Sequence, residues 1–414
     1  MLFVALRAGD LVSIAAGMWF VPRYVSPEEI GAVLPLTSFA TFIAMPVFAF
    51  AMTVMRESAY LAAEGERGKI KTLLRGVFVA AALATLLVLG VTWVALPRFL
   101  SAMNVADASA GVLVVSAAFL GCVAPVYTDA LQSLKRFGAL AFAEVGGAVA
   151  RFAAMFALMP LRPLAGYFAG QATLPLFRIA ASLVALRRDL QVRAEPYWNR
   201  RTARRVAAAF FAILAYQLFP MSASLVEQSV LRITQSAADS AGFYMVSRFS
   251  DFLHYVTFPL LLVMFPYTAE SAARNESTRP FVLKCSAVTL AVAIAAAVAF
   301  KFFGVELLSL MPHGAEYAEY ARHMPLLVIA TALTACQVFY TNAEVSAGRF
   351  AFLAWFAPLH IIYPVALYAV AFWRGMSLDA MIWWFAAASL ARFVLSLAAY
   401  STCDMPSGRR GSRR

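Results

Sequence analysis

The feature that most constrains this chain is a succession of apolar runs, each long enough to cross a bilayer, separated by short polar segments. A helix needs about 20 apolar residues to span the hydrocarbon, and it satisfies its own backbone there. A window of about 19 residues places runs at Leu2–Val21, Ile30–Met55, Gly76–Leu96, Ala108–Leu131, Gly138–Met159 and Leu164–Leu186. After a basic linker come Val206–Val230, Gly242–Pro266, Phe281–Phe303, Pro325–Val345, Phe352–Phe372 and Leu378–Tyr400. Twelve spans of this length use most of the 414 residues, which leaves no room for a large soluble domain. Composition agrees: 62% of residues are hydrophobic and 14% charged, where soluble domains carry about a quarter charged residues. The chain opens directly on an apolar run, without a basic leader or a small-residue cleavage site. The first run therefore reads as a retained span rather than a signal peptide.

The net charge of +12 does not point to nucleic acid, because the basic residues sit between the runs, where the positive-inside rule puts them. Of 34 Lys and Arg residues, 22 fall in even-numbered loops and the tail and seven in odd-numbered loops or at an outer end. This asymmetry predicts that both termini are cytoplasmic; the resemblance given below implies a bacterial inner-membrane location. Trp19, Trp93, Trp373 and Trp383 fall near the outer ends, as an aromatic belt would. Cys122, Cys285, Cys336 and Cys403 have neither metal-site nor disulfide spacing and read as inert. No cofactor or metal is expected.

The chain carries an internal repeat. Tyr127–Ala141 (YTDALQSLKRFGALA) aligns without a gap on Tyr340–Ala354 (YTNAEVSAGRFAFLA), eight of fifteen positions being identical at an offset of 213. Gly31 and Gly242, each after a polar outer turn, repeat at nearly the same offset. Two halves with an even number of spans insert in the same orientation, an arrangement found in transporters with a midplane site between two lobes. The expected fold is all-α: a polytopic membrane protein with twelve transmembrane helices in two parallel-repeat six-helix lobes around a central cavity. Residues 1–187 form the N-lobe, 188–205 a basic cytoplasmic linker, 206–400 the C-lobe and 401–414 a basic tail.

Three segments carry a family resemblance: RYVSPEEIGAVLPL at the first outer turn, AAEGERGKIK after span 2, and LQSLKRFGALAFAEVGGAVAR leading into span 5. The chain resembles the Wzx-type polysaccharide flippases of the multidrug, oligosaccharidyl-lipid and polysaccharide exporter superfamily. That resemblance implies flipping of an undecaprenyl-pyrophosphate-linked oligosaccharide from the cytoplasmic to the periplasmic leaflet. Membrane lipids and polysaccharide assembly proteins would be the partners, and nucleic acid would not. The related lipid II flippases carry two further spans, so the chain departs from them.

Five cations lie inside spans: Arg7, Arg151, Arg178, Arg248 and Arg392. Each costs about 2.5 to 3.5 kcal/mol at a helix centre, so each should face a partner or a watered cavity. At about 1.5 Å rise per residue, Arg7, Arg178 and Arg392 lie roughly 8 to 10 Å from the cytoplasmic end of their spans, and Arg151 and Arg248 roughly 20 Å. As substrate-binding residues they would hold a pyrophosphate, since the planar guanidinium fork matches phosphate oxygens. As structural residues they would be paired. Arg7 with Asp10 and Arg248 with Asp251 have the i, i+3 spacing of helix neighbours, and Glu144 and Glu227 could reach others across helices. Glu144 lies seven residues before Arg151 on one helical face, with Gly146 and Gly147 between them allowing close helix approach. Asp10, Glu144 and Asp251 are also the candidates for ion or proton coupling.

Other polar residues read as structural. Gln217 with Pro220 suggests a kinked, polar-lined span, His254 and His360 are bundle histidines, and Asp129 and Asn342 cap loops. A cation-coupled multidrug exporter of the same superfamily is the rival function, though its cavity should favour acids. A membrane glycosyl polymerase or ligase would need a larger outer loop than the Gly304–Met324 stretch. No phosphate-binding loop of the G-x-x-x-x-G-K-[ST] type is present, so ATP does not drive the protein directly. Reporter fusions test the charge-based topology: a fusion at Ser309 should behave as periplasmic, and fusions near Arg193 or after Cys403 as cytoplasmic. A periplasmic C-terminus would overturn it.

Overall fold

The computed structural model describes residues 17–63, 65–105, 107–134, 136–187, 191–253, 257, 260–261, 264, 268, 277–346 and 352–403. All regular structure among them is helical. Residues 17–24 close the first apolar run, and a single turn at Pro27–Ile30 follows. The long helices are α1 (Val33–Ala63), α2 (Arg67–Ala102), α3 (Ala108–Ser133), α4 (Phe137–Leu158), α5 (Pro163–Leu186), α6 (Arg200–Thr234), α7 (Ala237–Ser250), α8 (Arg279–Ser309), α9 (Met324–Ser346), α10 (Leu353–Arg374) and α11 (Leu378–Cys403). Among the described residues, nine helices are long and apolar enough to cross a membrane. The third apolar run lies inside the continuous helix α2. Most of the first run and the end of the eighth lie outside the described residues, as do 188–190 of the linker and 404–414 of the tail.

Helix α4 carries two apolar surfaces, which distinguishes its packing from that of a soluble bundle. On α4, Phe142, Val145, Val149, Phe152 and Phe156 recur at helical spacing and are all exposed, while Ala143, Ala148 and Met155 are buried. Such an outward stripe is stable only where the solvent is hydrocarbon. Trp19, Trp373 and Trp383 are likewise exposed, as a belt requires. Cys122, Cys285 and Cys336 are buried free thiols.

The chain divides into two compact units, Met1–Ala241 and Gly242–Arg414. In the first, α1 packs on α2, α3 and α6, and α5 packs on α3 and α4. Its core joins Val47, Val54 and Leu61 of α1 to Ile70 and Leu73 of α2 and to Val126, Tyr127 and Leu131 of α3. In the second, α9 packs on α8 and α11, around Cys285, Cys336, Phe339, Tyr340 and Tyr400. The boundary falls after α6, one span later than the repeat boundary, because α6 packs on α1. The six-helix lobes read from the repeat thus remain a proposal about organisation.

The repeat has a local counterpart. The Thr128 hydroxyl donates to the carbonyls of Ala124 and Pro125, and that of Thr341 to those of Gln337 and Val338, the same i−4 and i−3 positions. Tyr127 and Tyr340 are buried in their respective cores. The pairs α3·α5 and α9·α11, equivalent by the repeat, both pack together.

Two stretches between the apolar runs are structured. In the stretch 304–324, α8 continues to Ser309 and a 3-10 helix, Gly314–His323, folds back on it. The linker is strapped to the first unit. Lys71 Nζ donates to Val192 O at 2.7 Å, Thr72 Oγ1 to Glu195 O at 2.6 Å, and Glu195 N to Gly68 O at 3.2 Å. A side chain at Gly68 would lie 2.8 Å from Arg193 O, so glycine is what lets the strand of linker approach α2.

The strap ends in a three-residue network. Tyr197 Oη and Arg205 Nη2 both donate to Glu57 Oε2, each at 2.6 Å. Burial, and then the Glu57 carboxylate, push the Tyr197 phenol up to about 12. A phenol with a raised folded-state pKa lends stability that is complete below the unfolded value near 10 and is lost as pH rises through the folded value. Tyr197→Phe should therefore cost about 1 kcal/mol at neutral pH, and its stability deficit should narrow between about pH 10 and 12. Thermal unfolding of both proteins in detergent across that range measures this.

Candidate functional site

The charged groups inside spans fall into separate clusters within each unit. In the first unit the site lies along the α4·α5 seam. Gly147 faces the backbone of α5, where a Cβ would meet Leu174 O at 3.1 Å, and Gly166 faces the end of α4, where a Cβ would meet Leu158 C at 2.6 Å. Only residues lacking a side chain let the two backbones approach this closely. Glu144 on α4 forms an ion pair with Arg178 on α5, their side chains 15% and 21% exposed. Arg151, two turns further along α4, is half-buried. The structure therefore brings Glu144 and Arg178 together across the α4·α5 seam, while Arg151 lies on α4 where its backbone carbonyl faces Gly170 of α5.

In the second unit, Arg248 and Asp251 at the end of α7 pair at 3.0 Å, the i, i+3 partnership of the sequence reading. The Arg248 guanidinium also sits 5.0 Å from the centre of the buried Tyr244 ring, a cation–π contact that offsets part of its desolvation. Arg392 on α11 is buried. Its Nε donates to Ala388 O at 3.3 Å, and its guanidinium lies 5.1 Å from the Tyr363 ring of α10. His360 is a bundle histidine, with Nδ1 2.8 Å from Phe356 O; a carbonyl only accepts, so Nδ1 carries the proton. Arg7, Asp10 and His254 lie outside the described residues, as does the side chain of Asp129.

Sequence reasoning missed two charged residues that hold helices together. Arg232, counted as an outer-loop cation, is buried. Its Nε donates to Met103 O, the carbonyl at the end of α2, at 3.2 Å, where the helix dipole favours a cation. Glu57 is buried between the linker and α6. The signal for both was weak, since each sits at the end of an apolar run where charge ordinarily faces water. Among the described residues, no group of three or more His, Cys, Asp or Glu side chains is placed to hold a metal ion.

No protein-family model and no curated sequence matches the chain. Solved structures do match. The chain aligns over 95% of its length and 95% of the partner's with a multidrug resistance MATE family transporter of the MOP superfamily in its inward-facing conformation, at a TM-score of 0.68 and 14% identity. An outward-facing conformation of a multidrug resistance MATE transporter of that superfamily gives 0.63 at 13% identity, covering 97% of this chain and 94% of that one. A MOP superfamily transporter from Pyrococcus furiosus, described as having a binding pocket of reverse polarity that suggests a different function, gives 0.66 at 13%, covering 97% and 93%. The chain thus has the all-helical, polytopic fold of MATE-type transporters of the MOP superfamily.

Removing one partner of a partly buried ion pair leaves the other uncompensated, at a cost of about 3 kcal/mol. Glu144→Gln or Arg178→Gln alone should lower the melting temperature in detergent, and the double variant should recover most of the loss. Additive losses would show that the pair contributes nothing.

Proposed function

We propose that the chain is a secondary transporter that exports amphipathic organic solutes by alternating access, in the manner of a multidrug exporter. The observation that supports this reading best is the fold match over nearly the whole chain to multidrug resistance transporters seen in both inward- and outward-facing conformations. The charge arrangement supports it too. Glu144 and Asp251 neutralise Arg178 and Arg248, so these two arginines are not open anion sites in the resting state. Protonation of Glu144 would release Arg178, which makes the α4·α5 seam a place where an ion gradient can alter helix packing. Asp10 and Asp251 are further coupling candidates. The charge asymmetry of the loops supports an inner-membrane location with both termini cytoplasmic.

A second reading keeps the sequence resemblance: flipping of an undecaprenyl-pyrophosphate-linked oligosaccharide, with Arg7, Arg151, Arg178, Arg248 and Arg392 as the substrate-binding set and polysaccharide assembly proteins as partners. Its support is the three quoted segments and interior cations that at least equal the interior acids. The Pyrococcus furiosus structure described as having a pocket of reverse polarity adds a precedent for functions diverging on this fold.

Proteoliposomes separate the two readings. Under an imposed proton or sodium gradient, the reconstituted chain should accumulate a fluorescent organic cation, and Glu144→Gln should abolish the accumulation. No accumulation, together with gradient-independent flipping of a fluorescent lipid-pyrophosphate oligosaccharide that Arg151→Gln and Arg178→Gln abolish, would overturn the first reading in favour of the second.

A further inference from the structure

Helix α6 is longer than a membrane. Its 35 residues extend about 52 Å at about 1.5 Å each, against about 30 Å of hydrocarbon. The apolar part begins at Val206, so the first turns project into the headgroup layer. Those turns carry Arg200, Arg201, Arg204 and Arg205, which with Ala208 line an open pocket of about 620 Å³.

The four arginines are not alike. Arg205 is held by the buried Glu57, whose accepting oxygen is shared with Tyr197. Among the described residues, no carboxylate pairs with Arg200, Arg201 or Arg204, all of which are exposed. Three like charges within two turns, beside the positive end of the helix dipole, repel one another. The Asn199 side chain accepts from Thr202 N at 2.8 Å and fixes where the helix starts. Further along, Arg200, Arg204, Ala208 and Phe211 fall on one helical face at i, i+4, i+8 and i+11, and Ala208 and Phe211 are exposed. Trp198 is exposed just before the helix. One face of α6 thus runs from guanidinium groups to apolar surface, with an interfacial tryptophan beside it.

We propose that this basic face of α6 binds the phosphate headgroup of an anionic phospholipid, with the acyl chain lying along Ala208 and Phe211. The proposal rests on the membrane placement given under the proposed function. Charge complementarity selects the occupant: guanidinium forks bind phosphate oxygens bidentately, clusters of cations at the end of a span attract anionic headgroups, and the apolar continuation fits a chain rather than a soluble anion. Because Arg205 and Tyr197 tie this end of α6 to α1 through Glu57, a bound headgroup would brace the start of α6 and the linker strap together.

The test is lipid binding by the purified full-length chain in detergent, read by native mass spectrometry and lipid titration without transport, so that failure here leaves the transport reading standing. Phosphatidylglycerol should bind, phosphatidylcholine should bind far more weakly, and raising the salt should weaken phosphatidylglycerol binding. The triple variant Arg200→Gln, Arg201→Gln, Arg204→Gln should bind phosphatidylglycerol roughly a hundredfold more weakly, at about tenfold or less per cation, with an unchanged melting temperature in lipid-free detergent. A triple Lys variant should retain most of the binding. Equal phosphatidylglycerol binding by wild type and the triple Gln variant would overturn the proposal. Phosphatidylcholine binding as tight as phosphatidylglycerol binding, or inorganic pyrophosphate binding as tight as either lipid, would also overturn it.

Discussion

A charge placed in hydrocarbon needs a partner, and that requirement organises the interior of this protein. Arg178 costs several kcal/mol inside a span unless something compensates it, and Glu144 on the neighbouring helix does so. The pair forms only because glycines bring α4 and α5 together. Gly147 and Gly166 leave no side chain where the opposing backbone passes, and packing of this kind stabilises helix pairs when hydrocarbon surrounds them. Charge pairing and close packing are thus two aspects of one seam.

The same requirement acts at the membrane edges with a different outcome. Glu57 and Arg232 sit at the ends of their runs, yet both are buried and connect elements distant in sequence: Glu57 the linker and α6 to α1, Arg232 the C-terminal end of α6 to the carbonyl end of α2. Helix α6 is therefore fastened to the first unit near both ends, which accounts for the boundary between units falling after it.

Much of the fold was legible in the sequence, for physical reasons. Length and apolarity select helices because a helix satisfies its backbone in lipid within one contiguous segment, so the run positions predicted the described helices from α3 to α5 and from α8 to α11 closely. The i, i+3 spacing of Arg248 and Asp251 made them candidate partners, because the helical pitch alone sets which residues of one helix are neighbours, and the structure pairs them. The Tyr127 and Tyr340 segments predicted two equivalent environments, and the matching threonine back-bonds and buried tyrosines are found there.

What the sequence alone determined was the class of fold, the places where helices run and the local pairs within one helix, since all of these follow from the properties of contiguous residues. Tertiary structure decided which charges meet across helices. The sequence put Glu144 in register with Arg151 on its own face, whereas packing supplied Arg178 from α5. It also decided that the linker lies strapped on α2 and that Glu57 is buried beneath it, because these contacts join residues more than a hundred positions apart, and only the three-dimensional path of the chain sets which of them come within hydrogen-bond reach.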